Sequence, residues 1–218
     1  MKKRKNMITV AIDSPAAAGA GTQAKLISKN YNLFYLDTGK IYRYIGMLKL
    51  QNQKNFSYNL VKYKIGNMKL SYLKNKSLLS NDVALSAAKI AKDKKIRHIV
   101  HKFQQKYAYQ PPKKYNGSVL DGRDIITVQL KDATFKFYIT ASIKIRAKRR
   151  YMEYKSLNKK IAYEEVLKSL RIRDKSDKER KYGPLKKTKD SILINTTKLS
   201  KKACFNKIRA IMDKKINN

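Results

Sequence analysis

Tryptophan is absent from these 218 residues, cysteine occurs once, and only 15 acidic residues stand against 52 Lys and Arg. Each shortage excludes something. A lone Cys204 has no internal disulfide partner, which removes a disulfide-stapled scaffold. No run of about 18 or more apolar residues occurs, so no membrane-spanning helix is expected. The basic start Met1-Lys2-Lys3-Arg4-Lys5 leads only into a short apolar run at residues 7–12, too little for a secretory signal. A cytoplasmic protein with no membrane partner is the expectation. With Gly at 8 and Pro at 4, no low-complexity linker divides the chain, and no repeat of solenoid length is present.

The shortage of acids leaves a formal charge of +37, and a protein this basic is a candidate nucleic-acid binder. Two features weigh against a dedicated nucleic-acid face. Lys, Asn, Ile and Tyr are plentiful while Gly and Pro are scarce, the usage that AT-rich codons produce. The lysines are also spread along the whole chain, as in a solvated coat, rather than gathered on one motif. Nonspecific adhesion to RNA or DNA at low salt follows, without a specific nucleic-acid partner.

Apolar periodicity orders the elements. A β-branched run at residues 7–12 reads as a strand, and a helical pattern follows at 20–29. A second strand at 33–36 leads into Ile41, Tyr44, Ile45 and Leu48 at helical spacing. Residues 53–81 are choppy; alternation at 68–72 and the turn-like Lys74-Asn75-Lys76 predict a small hairpin. Helices at 81–91 and 94–107 end at Pro111-Pro112. Strands at 117–120 and 135–139, helices at 142–154 and 161–173, a charged loop to Pro184, a strand at 191–195 and a helix from Leu199 complete the chain. Strands alternating with helices predict one α/β domain, residues 1–218, whose parallel sheet is covered on both faces. Ligands then gather at the carboxyl ends of the strands.

Ser14-Pro15-Ala16-Ala17-Ala18-Gly19-Ala20-Gly21-Thr22 sits between a strand and a helix. Small residues let such a loop pass close to phosphate oxygens, while the helix offers free amide hydrogens and its positive dipole end. On spacing alone the loop equally reads as a well-packed alanine-rich turn. A phosphate loop of the G-x-x-x-x-G-K-[ST] type needs Gly at Ser14 and Lys at Ala20.

Further motifs follow in order: Leu36-Asp37-Thr38-Gly39-x-Ile41-Tyr42-Arg43, then Asp121-Gly122-Arg123-Asp124, then Arg173-Asp174-x-x-Asp177-x-x-Arg180 with Pro184-Leu185. Together with Ile12-Asp13-x-Pro15-x-x-x-Gly19-x-Gly21-Thr22 and Thr196-Thr197 near the end, this set resembles the bacterial cytidylate kinases. Each piece alone is unspecific; their order and intervals over residues 7–215 are what carry the likeness. The resemblance implies a P-loop kinase fold with a small monophosphate-binding lobe inserted at about 40–110 and a lid at about 171–184. It implies transfer of the γ-phosphate of ATP to CMP or dCMP, with Mg²⁺, in a monomer.

By resemblance Pro15, Ala16, Ala17, Ala18, Gly19, Ala20, Gly21 and Thr22 cradle the ATP phosphates, Arg149 reaches them from a later helix, and Thr22 or Asp121 positions Mg²⁺. Arg146 and Arg150 flank Arg149 on that helix, beside the ATP phosphates. Thr38 lies near the cytosine, Arg43 and Arg123 grip phosphate, and Asp124 accepts from the base amino group. Arg97 contacts the base, and Arg173, Asp177 and Arg180 lie around sugar and base, with Asp177 accepting from ribose hydroxyls. Arg43, Arg123 and Arg173 are the candidate catalytic groups, since a guanidinium grips phosphate bidentately. Without the resemblance, Arg43 reads as a surface helix arginine and the stretch around Arg173, Asp177 and Arg180 as a solvated ion-pair stripe.

Two departures stand out. Ala88 lies where a sugar-binding serine is usual, and Ala20 where the family carries the loop lysine. Loss of that lysine predicts correct folding, retained nucleotide binding and reduced turnover. A noncatalytic nucleotide binder, a basic nucleic-acid binder and a kinase for UMP stay open as alternatives. His98 and His101, three apart on a helix, lack the further ligands of a structural metal site.

Overall fold

The structure is a computed structural model that describes residues 7–217. The basic start at Met1 to Lys5 lies outside the described residues. β1 (Ile8–Asp13) runs into α1 (Ala20–Tyr31), and β2 (Leu33–Asp37) into α2 (Thr38–Gln51). α3 (Tyr58–Gly66), two short 3-10 turns (Leu70–Lys74 and Lys76–Leu79), α4 (Asn81–Ile90) and α5 (Lys94–Tyr109) come next. β3 (Gly117–Gly122), a π turn (Ile125–Gln129) and β4 (Phe135–Thr140) lead to α6 (Ile143–Ser156), α7 (Tyr163–Glu179), β5 (Ile192–Asn195) and α8 (Lys201–Ile216).

The strands form one five-stranded sheet in the order β2-β3-β1-β4-β5, and every pairing is parallel. Successive strand residues point to opposite faces, and both faces are buried. On β1, Ala11 faces a cluster built with Leu36, Leu120 and the buried residues of α2, α3 and α5. Its neighbours Val10 and Ile12 face the other cluster, with Phe137, Ile139 and the buried residues of α1 and α8. That two-sided burial explains why the strands read as continuous apolar runs. Among the described residues no helix is long and apolar enough to cross a membrane.

The hairpin expected at 68–76 is absent, and the two 3-10 turns take its place. Leu73 and Leu78 are buried against the α2 side of the core, and that packing overrides a local alternation that could have formed only an isolated, marginally stable hairpin. α3 also escaped the sequence reading; its Val61 and Ile65, four apart, bury a single stripe beneath exposed lysines.

α2 and α4 touch closely because Gly46 lacks a side chain. A Cβ there would lie 2.8 Å from Ala87 N and 3.0 Å from Val83 O, both backbone atoms that cannot swing aside. Ser86 Oγ then donates to Gly46 O at 3.1 Å, locking the crossing. Gly46→Ala is therefore expected to destabilise the protein by about 1–3 kcal/mol through overpacking. The urea midpoint of unfolding should fall with the slope unchanged.

Candidate active site

The carboxyl ends of β1, β2 and β3 open on one cleft of about 390 Å³, within the range of small-molecule sites. Its floor is the loop 14–22, its walls are α2, α4 and the carboxyl-terminal half of α7, and Arg123 and Asp124 enter from the end of β3.

The loop leaves backbone amides open toward the cleft. α2, α4, α5, α6 and α8 each begin with an Asp or Ser side chain that accepts from a first-turn amide. α1 begins at Gly19 with no side-chain cap and no acid in its first turn, so its orphan amides stay available. Behind the loop, Arg146 Nη1 donates to Ala16 O at 3.1 Å, and Thr196 Oγ1 donates to Ala18 O at 3.0 Å. In a trans peptide the following N–H points the opposite way, so the amides of Ala17 and Gly19 turn away from α6. Ala17 takes a φ of 60°, a left-handed conformation that costs an alanine about 1–2 kcal/mol.

Two carboxylates gather the cleft's arginines. Asp177 lies 2.8 Å from Arg123 Nε, 3.5 Å from Arg180 Nη1 and 4.0 Å from Arg173 Nε. Burial works against its charge, but Arg123 and Arg173 hold its carboxyl below the usual range. Asp124 is bonded to Arg97, with His101 Nε2 at 3.5 Å and Arg180 Nη2 at 3.9 Å. Burial again opposes the charge, and His101, Arg97 and Arg180 overcome it. Gly183, at φ 58°, lies so close that a Cβ would strike the Arg97 guanidinium and the Asp124 carboxylate.

The cations outnumber what these acids can neutralise. Arg173 is lowered to about 10, by burial first and then by the charge of Arg123. Arg43 is also lowered, by burial and then by Arg150; it donates from Nη1 to Leu78 O at 2.7 Å. Both guanidinia are half-buried and stand among like charges. Two polar atoms in the same cleft, Tyr42 Oη and Arg180 Nη2, are buried without a hydrogen-bond partner.

On the loop side, Asp121 accepts from Tyr35 Oη at 3.1 Å, and its other oxygen would lie 3.4 Å from a Cβ on Gly21. Burial and then the charge of Asp37 push Asp121 up to about 8. Thr38 Oγ1 donates to Asp121 O at 2.7 Å, leaving its lone pairs to accept.

Of the residues expected from sequence, Pro15 to Thr22, Thr38, Arg43, Arg97, Arg123, Asp124, Arg173, Asp177 and Arg180 all line this cleft, as does Ala88. Arg149 is placed differently: its guanidinium donates to Thr196 Oγ1 at 2.8 Å and Thr196 O at 2.7 Å, behind the loop. Arg150, one residue on, lines the cleft instead. Arg146 is spent on Ala16 and on Asp174, at 3.0 and 2.5 Å. Sequence reasoning passed over Tyr42, which stood inside a quoted motif, and Lys40, which stood in its unspecified position. His101 faces Asp124, and among the described residues no three His, Cys, Asp or Glu gather as a metal cage.

Comparisons with known proteins agree on one family. The family model described as cytidylate kinase matches residues 10–214. A cytidylate kinase of Clostridium botulinum strain Hall is 38% identical over 218 aligned residues, covering 95% of this chain and 98% of that protein. One from Thermosipho melanesiensis is 36% identical over 94% of this chain and 97% of its own length. One from Bartonella henselae is 39% identical, covering 94% of each. The crystal structure of an uncharacterized protein from Eubacterium ventriosum superposes with a TM-score of 0.56 at 16% identity, covering 94% of this chain and 98% of that one, a likeness of fold alone.

Asp13 gives the site a pH signature. Its oxygens accept from Ile125 N at 2.8 Å and Ile126 N at 3.0 Å, yet burial raises its carboxyl from 3.8 to about 7. A carboxyl raised on folding binds more protons folded than unfolded, so stability is greatest below the unfolded value and falls as pH rises toward 7. Asp13→Asn should remove that contribution, up to about 1.4 kcal/mol per pH unit between pH 4 and 7. Urea unfolding at stepped pH checks it: the variant's stability should fall less steeply with pH than the parent's.

Proposed function

The chain belongs to the cytidylate kinase family, and from that premise we propose that it transfers the γ-phosphoryl group of ATP to CMP or dCMP, releasing ADP. The observation that carries this reading is the cluster of Arg43, Arg123, Arg173 and Asp177 facing the uncapped start of α1 across one cleft. Phosphoryl transfer asks a protein mainly to align donor and acceptor and to offset charge on the transferring group.

The γ- and β-phosphates lie on the loop from Pro15 to Thr22, where the amides of Ala16 to Thr22 are the donors because proline carries no N–H. The CMP phosphate lies between Arg43, Arg123 and Arg173, whose mutual repulsion it relieves. One of its oxygens attacks the γ-phosphorus as the bond to the β-bridging oxygen breaks, so no covalent enzyme intermediate forms. Asp177 accepts from the ribose hydroxyls. Thr38, its own proton committed to Asp121 O, accepts from the cytosine amino group beside Asp124, while Arg97 and Arg180 hold that carboxylate in place. Ala88 supplies no hydroxyl to the sugar, a loss of about 0.5–1.5 kcal/mol of binding.

Mg²⁺ suits the loop side of the cleft, because Asp121 and Asp37 repel each other there and Mg²⁺ takes one or two carboxylates together with substrate phosphates. Thr22 and Asp121 would hold the ion or its waters, and it would neutralise charge between the β- and γ-oxygens. The helical lobe at about 40–110 and the segment at about 171–184 close over the nucleotides and exclude water. The protein acts as a monomer in the cytoplasm, and its lysine coat serves no specific nucleic acid.

Ala20 decides the rate. Removing one preorganised donor to developing charge costs about 10² to 10³ in turnover, so the chain should bind CMP and form CDP slowly. Ala20→Lys should raise CDP formation at least about tenfold in a coupled assay with ATP and Mg²⁺. An equal rate in both would refute this account of the loop. Ala20 also favours one rival, a nucleotide binder without catalysis, which predicts calorimetric CMP binding with no CDP from either protein. Parallel assays with CMP, dCMP and UMP fix the acceptor.

A further inference from the structure

The loop from Ser14 to Thr22 carries no cationic side chain, yet two lysines stand on the cleft walls beside it. Lys25 is on α1, one turn past the loop, and is exposed; Lys40 is in the first turn of α2 and is half-buried. The cleft's arginines are engaged elsewhere. Arg43 holds Leu78 O, Arg97 holds Asp124, Arg123 and Arg173 flank Asp177, Arg180 Nε holds Gly183 O at 2.7 Å, and Arg150 Nη1 pairs with Glu153 at 3.0 Å. Neither lysine's ammonium has a hydrogen-bond or ion-pair partner among the described residues.

Backbone geometry brings Lys40 close to the loop. Its own amide donates to Asp37 Oδ1 at 3.2 Å. Asp37 stands in register beside Asp121 across β2 and β3. The Asp121 carboxylate in turn lies 3.4 Å from where a Cβ on Gly21 would sit. The start of α2 and the start of α1 thus meet over one pair of carboxylates, and Gly21 leaves the gap between them unfilled. A lysine's flexible four-carbon stem can cross such a gap and deliver a point charge.

Resting on the kinase reading, we propose that Lys40 supplies from α2 the positive charge to the ATP β- and γ-phosphates that Ala20 no longer supplies from the loop. It is a partial replacement: a cation on α2 meets the donor phosphates from the acceptor side, whereas a loop lysine lies along them. Lys40 and a restored loop lysine would contact the same oxygens, so their effects overlap rather than add.

The experiment compares the parent chain with Lys40→Met, Lys25→Met, Lys29→Met, Ala20→Lys, and the double variant carrying both Ala20→Lys and Lys40→Met. Calorimetry measures ATP and CMP affinity, and an ADP-coupled assay measures turnover. Lys29 is exposed on α1 and away from the cleft, and it controls for the loss of one charge from the coat. Lys40→Met should weaken ATP binding about tenfold while leaving CMP binding within about twofold, the size of one charge-assisted hydrogen bond. Turnover should fall at least about tenfold, and Ala20→Lys should restore it, with a larger gain in the Lys40→Met background than in the parent. The proposal is overturned if Lys40→Met matches Lys29→Met in ATP affinity, if the loss follows Lys25→Met instead, or if ATP and CMP weaken equally. Absence of CDP from every variant would refute the kinase reading, and the ATP affinities would still decide on Lys40.

Discussion

One carboxylate, Asp177, ties together the arginines on the α7 side of the cleft. It faces Arg123, Arg173 and Arg180, and a single negative charge cannot balance three positive ones in partly buried surroundings. Opposite charges close at hand favour ionisation of the acid, while burial and like charges oppose ionisation of the arginines. The attraction that depresses Asp177 also holds Arg173 up, but burial and the like charges of Arg123, Arg43 and Arg150 outweigh it and leave Arg173 lowered. These positive groups stand assembled on one cleft, an arrangement that an anion would complement. Such preorganisation is what electrostatic catalysis requires, because the donors need not be reassembled at the moment of transfer.

The loop and the arginine-bearing helix are not independent parts. Arg146 joins them: one guanidinium donates to Ala16 O in the loop and to both oxygens of Asp174 on α7. Asp174 stands three residues before Asp177, so the bond that sets the loop's carbonyls also fixes the helix that carries the acid. Ala16 packs with Val166, Leu167 and Leu170 of the same helix in one apolar cluster. A displacement of α7 would be felt by the phosphate-facing amides and by the arginine cluster together.

Much of this was legible in the sequence, for physical reasons. Strands buried on both faces announce themselves as apolar β-branched runs, and the motif residues converge because parallel strands deliver all their carboxyl ends to one side of the sheet. What was illegible depended on contacts across the chain. Met68 to Tyr72 alternates like a strand, but Leu73 and Leu78 find a core to bury in and the segment coils into 3-10 turns. The π turn at Ile125–Gln129 is held by Asp13, 112 residues away. Arg149 and Arg150 are neighbours in sequence, yet adjacent helical positions face directions about 100° apart. Spacing alone could not say which of them meets the cleft.

A charge of +37 spread over a surface is no substitute for a lysine at the phosphates, because field and contact act differently. A coat of exposed lysines attracts nucleotides through its far field, raising encounter rates in a way that salt screens within about 10 Å. That attraction acts almost equally on bound substrate and on transition state, and uniform stabilisation does not accelerate the chemical step. Only a cation held within hydrogen-bond reach of the transferring oxygens discriminates between the two. On the kinase reading, a cation wanting in the loop is therefore offset from inside the cleft and nowhere else, however many lysines the surface carries.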